Sequence, residues 1–255
     1  MRVYEEVRFR SLDYRMKVAV GMIPGASYIE KFGRNKTVAS GTQEPIWDGS
    51  GAYSYPTTAR VHNIVSTEVE DGAVGKTGAL TIDIQGLDAN YLLISETVTL
   101  NGTTPVATQN SYTRIFRMRV LTSGSQGTNE GIISATAVTD ATVTAQILAS
   151  TGQTNMALYT IPSGYTGYLL GWYASLLRAT GVTAVGADVD FIERSFGGAW
   201  RSKQPTGIQN TGQGHWHYDF EFPLALSEKS DMQVIGTPTA AADISAGFTI
   251  LLLKN

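Results

Sequence analysis

Short stretches of alternating apolar and polar residues follow one another from about residue 58 to the end of the chain. Successive side chains of a β-strand point to opposite faces, so this period of two indicates strands with one buried face. Turn-forming residues separate the stretches at the spacing typical of β-sandwiches and barrels. We therefore predict about twelve strands, at 59–66, 78–85, 91–100, 112–121, 130–136, 142–148, 156–161, 166–178, 185–193, 215–222, 231–236 and 246–253.

Three stretches show how these strands are used. In HWHYDFEF (215–222) the four aromatic residues point one way and the polar residues the other, so one face packs on a core. GYLLGWYASLL (167–177) and AGFTILLL (246–253) are apolar on both faces, which indicates cover on both sides by a second sheet or a neighbouring subunit. In 86–108, Asn101-Gly102 favours a type I′ turn and predicts a β-hairpin.

The pattern predicts an all-β fold, with a β-sandwich or jelly-roll body and an N-terminal arm. The arm is 1–57; it contains a short helix near 8–20 and a loop at 40–57 that is anchored by aromatic residues. The first β-sandwich subdomain is 58–150 and the second, jelly-roll-like subdomain is 151–255. The boundary lies in ASTGQTN, where two β regions meet at a polar turn. One enlarged jelly roll is the alternative.

Charge and cysteine content restrict the function. Only 16% of residues are charged and the formal net charge is −3, so no overall positive field attracts nucleic acid. Residues 1–36 nevertheless carry eight Lys or Arg against four acids, which is typical of an arm that docks on another surface. The absence of cysteine excludes disulfides and thiol chemistry. No stretch predicts a membrane span or a secretory signal, so we expect synthesis and assembly in a cytoplasm.

Few residue patterns point to catalysis or metal binding. His215 and His217 share a strand face with Asp219 and could hold a metal, but an exposed polar face explains them better. Carboxylate pairs that could serve a glycosidase are Asp188/Asp190 and Asp219/Glu221, at the spacing of any exposed strand face. No nucleophile elbow or phosphate-binding loop occurs. We therefore predict no catalytic residue, no metal site and no cofactor.

Several segments of the chain resemble virion proteins of tailed bacteriophages, especially phages of aquatic hosts. The matching segments, which together cover most of the chain, are IPGASYIEKFGRN, IWDGSGAYSYP, IQGLDANYLLISETVTLNGTTPVAT, YTRIFRMRV, ALYTIPSGYTGYLLGWY, PLALSEKSDMQV and AADISAGFTILL. Within this class the chain is most similar to capsid decoration (cement) proteins. The resemblance implies sandwich or jelly-roll domains and no catalytic residues.

The resemblance also implies partners. We expect a homo-oligomer, such as a trimer, that binds the shell of the major capsid protein and is located in the virion, with no nucleic-acid or membrane partner. The predicted interface residues lie in the arm: Arg8, Phe9, Arg10, Leu12, Tyr14, Arg15 and Tyr28. One alternative is a tail or fibre component, or a carbohydrate-binding sandwich, whose aromatic residues stack on sugars; these are Trp47, Trp200, Trp216 and Tyr173. The other is a jelly-roll hydrolase.

Overall fold

The computed structural model describes residues 13–49, 51–73, 75–178, 185–211 and 214–255. Within these ranges there is one helix, α1 (Tyr14–Ala19), in the segment where a helix was predicted. The side chain of Asp13 caps it by accepting a hydrogen bond from the Met16 amide at 2.9 Å. Gly21, with φ +73°, follows the end of the helix. In the described part of the chain, no helix is long and apolar enough to cross a bilayer.

Sixteen strands follow within the described residues. Those of the first half are β1 (Ala26–Val38), β2 (Glu44–Pro45), β3 (His62–Ser66), β4 (Ala79–Leu87), β5 (Leu93–Thr99), β6 (Val106–Ala107), β7 (Arg114–Ser123), β8 (Ile133–Ala137) and β9 (Val143–Ile147). Those of the second half are β10 (Leu158–Thr160), β11 (Tyr165–Arg178), β12 (Gly186–Arg194), β13 (Arg201–Gln209), β14 (His215–Leu226), β15 (Asp231–Pro238) and β16 (Ala242–Lys254). Each of the twelve predicted strands corresponds to one of them.

The strands form four small antiparallel sheets. Sheet 1 has the order β1-β16-β11-β14, and sheet 2 has the order β10-β15-β12-β13 with β2 added against β15. Sheet 3 has the order β6-β3-β8-β9, and sheet 4 has the order β5-β4-β7. The all-β prediction is confirmed, since 56% of the described residues are in strands or β-bridges and 3% are helical. The small sheets do not make a clear jelly roll, however.

Two groups of buried side chains hold the sheets together. Sheets 3 and 4 supply most of one core, which includes Ile64, Ile82 and Ile115; we call this part the N-half body. Sheets 1 and 2 enclose the other core around Trp172 and Phe191, and we call this part the C-half body. Burial of such side chains, each worth about 1.5–3 kcal/mol, is the main stabilising contribution to both.

Strand β1 belongs to the C-half body, although it lies inside the predicted arm of 1–57. It pairs with β16 from Ala26 opposite Leu253 to Val38 opposite Ala242. Its core-facing side is not apolar, since Lys31 and Gly33 are both buried there. A Cβ atom on Gly33 would lie 2.2 Å from the carbonyl oxygen of Ile46, so only glycine lets the two segments approach. Residues 26–38 are therefore part of the folded body rather than a separate arm.

The prediction of a hairpin at 86–108 is wrong. Strand β5 pairs with β4, which precedes it, whereas β6 pairs with β3 in another sheet. Only Gly102 of the Asn-Gly pair has a positive φ (+59°), whereas a type I′ turn requires both. The Gly102 amide donates to the carbonyl of Asp71, and the Gly102 carbonyl accepts from the Ser66 amide. These tertiary hydrogen bonds make the pair a crossing point between sheets 3 and 4.

Polar contacts join the two bodies. The ammonium of Lys31 in β1 donates to the carbonyl of Phe116 in β7, and Arg117 donates to the carbonyl of Glu30 at 2.9 Å. Burial lowers the pKa of Lys31 well below its ordinary value, and the charge of Arg117 lowers it further. The hydroxyl of Tyr55 donates to Gln233 at 3.0 Å. These hydrogen bonds make the junction a polar interface. They also hold β1 between β16, with which it pairs, and β7 of the N-half body.

Candidate interaction surface

The outer face of sheet 1 carries cross-strand rows of residues from all four of its strands. These side chains alternate with those of the C-half core, so they point away from it. The pairing places two rows side by side, one formed by Phe32, Gly247, Tyr173 and His217 and the other by Glu30, Thr249, Gly171 and Asp219. Apolar, basic and acidic groups therefore lie within a few ångströms of each other on one surface.

A groove of about 350 Å³ lies between this face and α1, and we call it the outer groove. Arg15 and Met16 of α1 line one side, and His217 and Asp219 of β14 line the other. Gly247 makes room for the ring of Tyr173, which lines the groove, because a Cβ on Gly247 would lie 2.6 Å from that ring. The groove is large enough to receive one or two side chains of a partner.

The outer groove combines neutral phenol side chains with exposed charged side chains. Burial is the main cause that raises the pKa of Tyr28, and burial also raises the pKa of Tyr173. Both phenols are therefore neutral hydrogen-bond donors at neutral pH. Farther along β1, Arg34 forms a two-pronged ion pair with Asp243, and that hydrogen bond is the main cause of its raised pKa. This face combines aromatic and charged contacts, as protein interfaces commonly do.

Strand β14 forms the open edge of sheet 1. Its pairing with β11 is interrupted, since Gly171 lies opposite Asp219 and Leu169 lies opposite Leu224. Four residues, 220–223, consequently face the single residue Leu170 and bulge outward. Phe222 within this bulge is 81% exposed. Phe222 therefore adds exposed apolar area to an unpaired sheet edge.

A continuous series of aromatic rings connects this edge to the core. Trp172, which is fully buried, lies 4.4 Å from Trp216 between ring centroids. Trp216 stacks on Tyr218 at 5.8 Å, and Tyr218 meets Phe220 edge-on at 5.0 Å. The prediction that all four aromatic residues of HWHYDFEF pack one core holds only for Trp216 and Phe220. Phe222 lies in the bulge, whereas Tyr218 is 40% exposed on the regularly paired part of the edge strand.

The outer groove brings together two of the predicted interface residues, Arg15 and Tyr28, while Tyr14 is exposed at the start of α1. The remaining four, Arg8, Phe9, Arg10 and Leu12, lie outside the described residues. Whether any of the seven contacts a partner stays a prediction.

The histidine pair of β14 is exposed. His217 Nε2 lies 3.5 Å from Asp219 Oδ1, which is a loose ion pair when the imidazole is protonated. Within the described ranges, no three His, Cys, Asp or Glu side chains are grouped closely enough to hold a metal ion.

The other carboxylate pair, Asp188 and Asp190, lies on the outer face of sheet 2. Both line a groove of about 410 Å³ together with Gln43, Thr206 and Thr237. The Asp190 Oδ1 atom is buried and accepts no hydrogen bond from the part of the chain that the structure describes.

The four aromatic residues suggested as a sugar-binding set do not share one face. Trp47 is buried in the N-half core, and its indole donates to the Gly51 carbonyl at 3.1 Å. Trp216 packs against the C-half core and Tyr173 lines the outer groove. Trp200 instead lies beside Tyr55, with 5.3 Å between ring centroids.

Sequence reasoning missed the open edges of the C-half body. Strands β13 and β14 each contain a proline, Pro205 and Pro223, and each is the last strand of its sheet. Proline lacks the amide that a central strand requires and is confined to edges and bulges. This signal was available in the sequence and identifies the exposed side of the body.

Comparisons with known proteins give only remote similarities. No protein-family model matches the chain, and no curated protein matches it. A chain in the structure of the infectious bursal disease virus Gt strain has a TM-score of 0.25 and 10% identity, over 95% of this chain and 78% of its own. The crystal structure of the STIV MCP has a TM-score of 0.24 and 8% identity, over 88% and 96%. Scores this low do not establish a common fold or role.

Proposed function

We propose that the protein is a non-enzymatic structural protein of a bacteriophage virion, of the capsid decoration (cement) type, which binds the shell as a homo-oligomer. The observation that carries the proposal is the open edge of β14, where the bulged segment 220–223 exposes Phe222 beside the outer groove. The sequence resemblance to virion proteins of tailed phages supports the biological setting. The pairing of four sheets around two cores supports a body of two β-sandwich units.

The exposed side chain at this edge supports a covering partner. Pro223 and the bulge limit pairing of β14 with another strand, so a second copy would contact the Phe222 side chain rather than extend the sheet. Burying a Phe side chain contributes about 1.5–3 kcal/mol. A closed symmetric oligomer contains each such contact at least twice. A second copy of this chain is the partner that accounts for the exposure without any further component.

The shell contact is proposed for the α1 side of the outer groove. Arg15 and Tyr28 line the groove on this side and Tyr14 is exposed at the start of α1, in a segment, 1–36, whose sequence has an excess of basic residues. Exposed ion pairs contribute only about 0–1 kcal/mol each, so aromatic residues would supply most of the binding energy.

Sedimentation equilibrium of the purified chain tests the oligomer. The expected mass is a multiple of 27.4 kDa at micromolar concentration. Phe222→Asp should raise the dissociation constant of the oligomer at least about tenfold, since it places a charge in the apolar contact. Phe196→Asp is the matched control, because Phe196 is 64% exposed at a different site and should leave assembly unchanged.

Two results would count against this proposal. A wild-type monomer at micromolar concentration would remove the oligomer, and equal behaviour of the two variants would remove the edge as its interface. Copy number in purified virions separates a shell protein from a tail or fibre component, since a shell protein is present in far more copies.

A carbohydrate-binding component is the second candidate, and a specific observation favours it. Trp200 lies with Tyr55 beside the guanidinium of Arg194, which is 4.8 Å from each ring centroid. Aromatic faces next to a cation are common in sites for sugars and for anions.

A further inference from the structure

A pocket of about 340 Å³ lies at the junction of the two bodies, away from the outer groove. Arg114 of β7 comes from the N-half body, while Arg194 of β12 and Asp231 of β15 come from the C-half body. The loops after β4 and β12 add Tyr91 and Phe196, and the segment 55–57 completes the wall. The volume is within the range of small-molecule sites.

The charges of this junction pocket are unbalanced. Asp231 accepts hydrogen bonds from both arginines, with its Oδ2 at 3.0 Å from Arg114 Nη2 and 2.8 Å from Arg194 Nη2. One carboxylate therefore serves two guanidinium groups. Lys229 lies at the rim, where its Nζ is 5.6 Å from the Phe196 ring centroid, and its charge acts on the neighbouring Glu228. The pocket lining itself holds two guanidinium groups and one carboxylate, which is an excess of one positive charge.

The two arginines have different amounts of donor capacity left. Arg114 is buried, and it also donates to the carbonyls of Pro56 and Thr113. Arg194 directs Nε and Nη2 at a single oxygen of Asp231, and its side chain is 29% exposed. Within the described part of the chain, Arg194 Nη1 has no acceptor. Arg114 thus completes the junction, whereas Arg194 presents two N–H groups to the pocket.

Aromatic faces enclose the cations. Tyr55 lies under both guanidinium groups, with its ring centroid 5.1 Å from Arg114 and 4.8 Å from Arg194. Tyr91 and Phe196 form an edge-to-face pair at 5.6 Å, and the Tyr91 ring centroid lies 5.7 Å from the Arg114 guanidinium. A ligand in this pocket therefore contacts an apolar ring face and a charged hydrogen-bond donor together.

The backbone at the rim is strained. Among the described non-glycine residues only four have a positive φ, and two of them, Tyr91 (+63°) and Lys229 (+61°), flank Phe196. An aromatic or long side chain is disfavoured in this conformation. Such strain is concentrated at sites where function requires a particular side-chain position.

We propose that the junction pocket binds a carboxylate carried on a six-membered ring, of the acidic-sugar class. The carboxylate pairs with the free donors of Arg194, and the ring packs on Phe196 and Tyr91. The excess positive charge excludes cations, and the pocket volume limits the bound unit to one or two sugar rings. This site is independent of the oligomer interface proposed above, because the two share no residue.

Titration of the full chain with methyl glucuronide, followed by saturation-transfer NMR and calorimetry, tests the site. A ligand of this size should bind with a dissociation constant of about 1 mM. Methyl glucoside, which lacks the carboxylate, should bind at least about tenfold more weakly, since a charge-assisted hydrogen bond is lost.

Two pairs of variants identify the site. Arg194→Gln and Phe196→Ala should each weaken binding of methyl glucuronide about tenfold or more, and Phe196 is exposed enough that its replacement leaves the fold intact. Arg119→Gln and Phe222→Ala are the matched controls, because each removes the same kind of exposed side chain elsewhere and should leave binding unchanged.

The proposal fails if methyl glucuronide does not bind at 10 mM, on the order of ten times the expected constant, or if it binds equally to Phe196→Ala and wild type. Benzoate serves as a ring carboxylate that is not a sugar. Binding of benzoate without binding of methyl glucuronide would overturn the acidic-sugar assignment.

Discussion

Two buried ionisable groups, His62 and Asp48, should respond to acid in opposite directions. His62 in β3 is 0% exposed, and its Nδ1 lies 3.0 Å from the carbonyl oxygen of Arg60. Its Nε2 is buried without a hydrogen-bond partner in the described part of the chain. Burial lowers the pKa of His62 from 6.5 to about 4, although the contact with the Arg60 carbonyl acts against this change.

Asp48 follows β2 and is also buried. Its Oδ2 accepts hydrogen bonds from the backbone amide of Asn155 at 2.8 Å and from the side-chain amide of Asn155 at 2.9 Å. Burial raises the pKa of Asp48 from 3.8 to about 6 against these hydrogen bonds, because Oδ1 has lost its hydration without gaining a donor among the described residues. The folded protein therefore holds a proton on Asp48 more tightly than the unfolded chain does.

The signs follow from proton linkage. Between pH 6.5 and about 4 the unfolded chain binds the His62 proton more strongly, so acidification lowers the free energy of unfolding. Between pH 6 and 3.8 the folded state binds the Asp48 proton more strongly, so acidification raises it. One pKa unit corresponds to about 1.4 kcal/mol, which makes each contribution about 3 kcal/mol. In the wild type the two should largely cancel.

Urea unfolding followed by tryptophan fluorescence between pH 7.5 and 4.5 measures this balance. His62→Gln should become more stable than wild type as the pH falls, by about 2–3 kcal/mol at the acidic end. Asp48→Asn should lose a similar amount over the same range. His217→Gln, which replaces an exposed histidine, is the control and should follow the wild-type curve.

Parallel curves for the wild type and His62→Gln would refute the assigned pKa of His62, since the variant has no imidazole to titrate. A wild type that loses several kcal/mol above pH 5 would show that Asp48 does not compensate. Each variant is compared with the wild type at the same pH, so carboxylates that titrate in both do not change the difference in their free energies of unfolding.

Two further predictions concern the junction and the N-terminal segment. Asp231→Ala should lower the free energy of unfolding by about 3–5 kcal/mol, because it leaves the buried charge of Arg114 unpaired. Arg119→Gln, at an exposed ion pair, should lower it much less. Equal losses for the two variants in urea unfolding would contradict this prediction. A chain that lacks 1–25 should remain soluble and show the circular dichroism of a β protein. A chain that lacks 1–38 has lost β1, which leaves β16 unpaired on that side, and it should aggregate. A soluble, folded product of the longer deletion would show that β1 is dispensable.

The sequence was sufficient for strands whose buried side is apolar. All twelve predicted strands are present, because period-two alternation reports one buried face directly. Strands β1 and β13 were missed because their sequences lack this alternation. In β1, Lys31 is buried because its ammonium donates to the carbonyl of Phe116. Gly33 is buried because the backbone of Ile46 lies too close for any larger residue. No local pattern reports contacts so distant in the chain.

The candidate sites were less predictable than the strands. Arg15 and Tyr28 were predicted as parts of a docking arm, and His217 was identified by alternation. Their common groove depends on the pairing of β1, β16, β11 and β14. The junction pocket depends on Arg114 and Asp231, which are 117 residues apart. A single sequence contains no signal for that contact.

The two proposed sites can be separated because they use different parts of the C-half body. Phe222 lies in the bulge of β14 at the edge of sheet 1, whereas Phe196 lies after β12 in sheet 2, beside the N-half body. Each exposed phenylalanine is therefore the control for the other, so general effects of losing an aromatic residue cancel. If Phe222 variants lose assembly and Phe196 variants lose carboxylate binding, both proposals stand. If either variant affects both properties, the two sites are not independent, and the assignment of separate residues to assembly and to carboxylate binding is wrong.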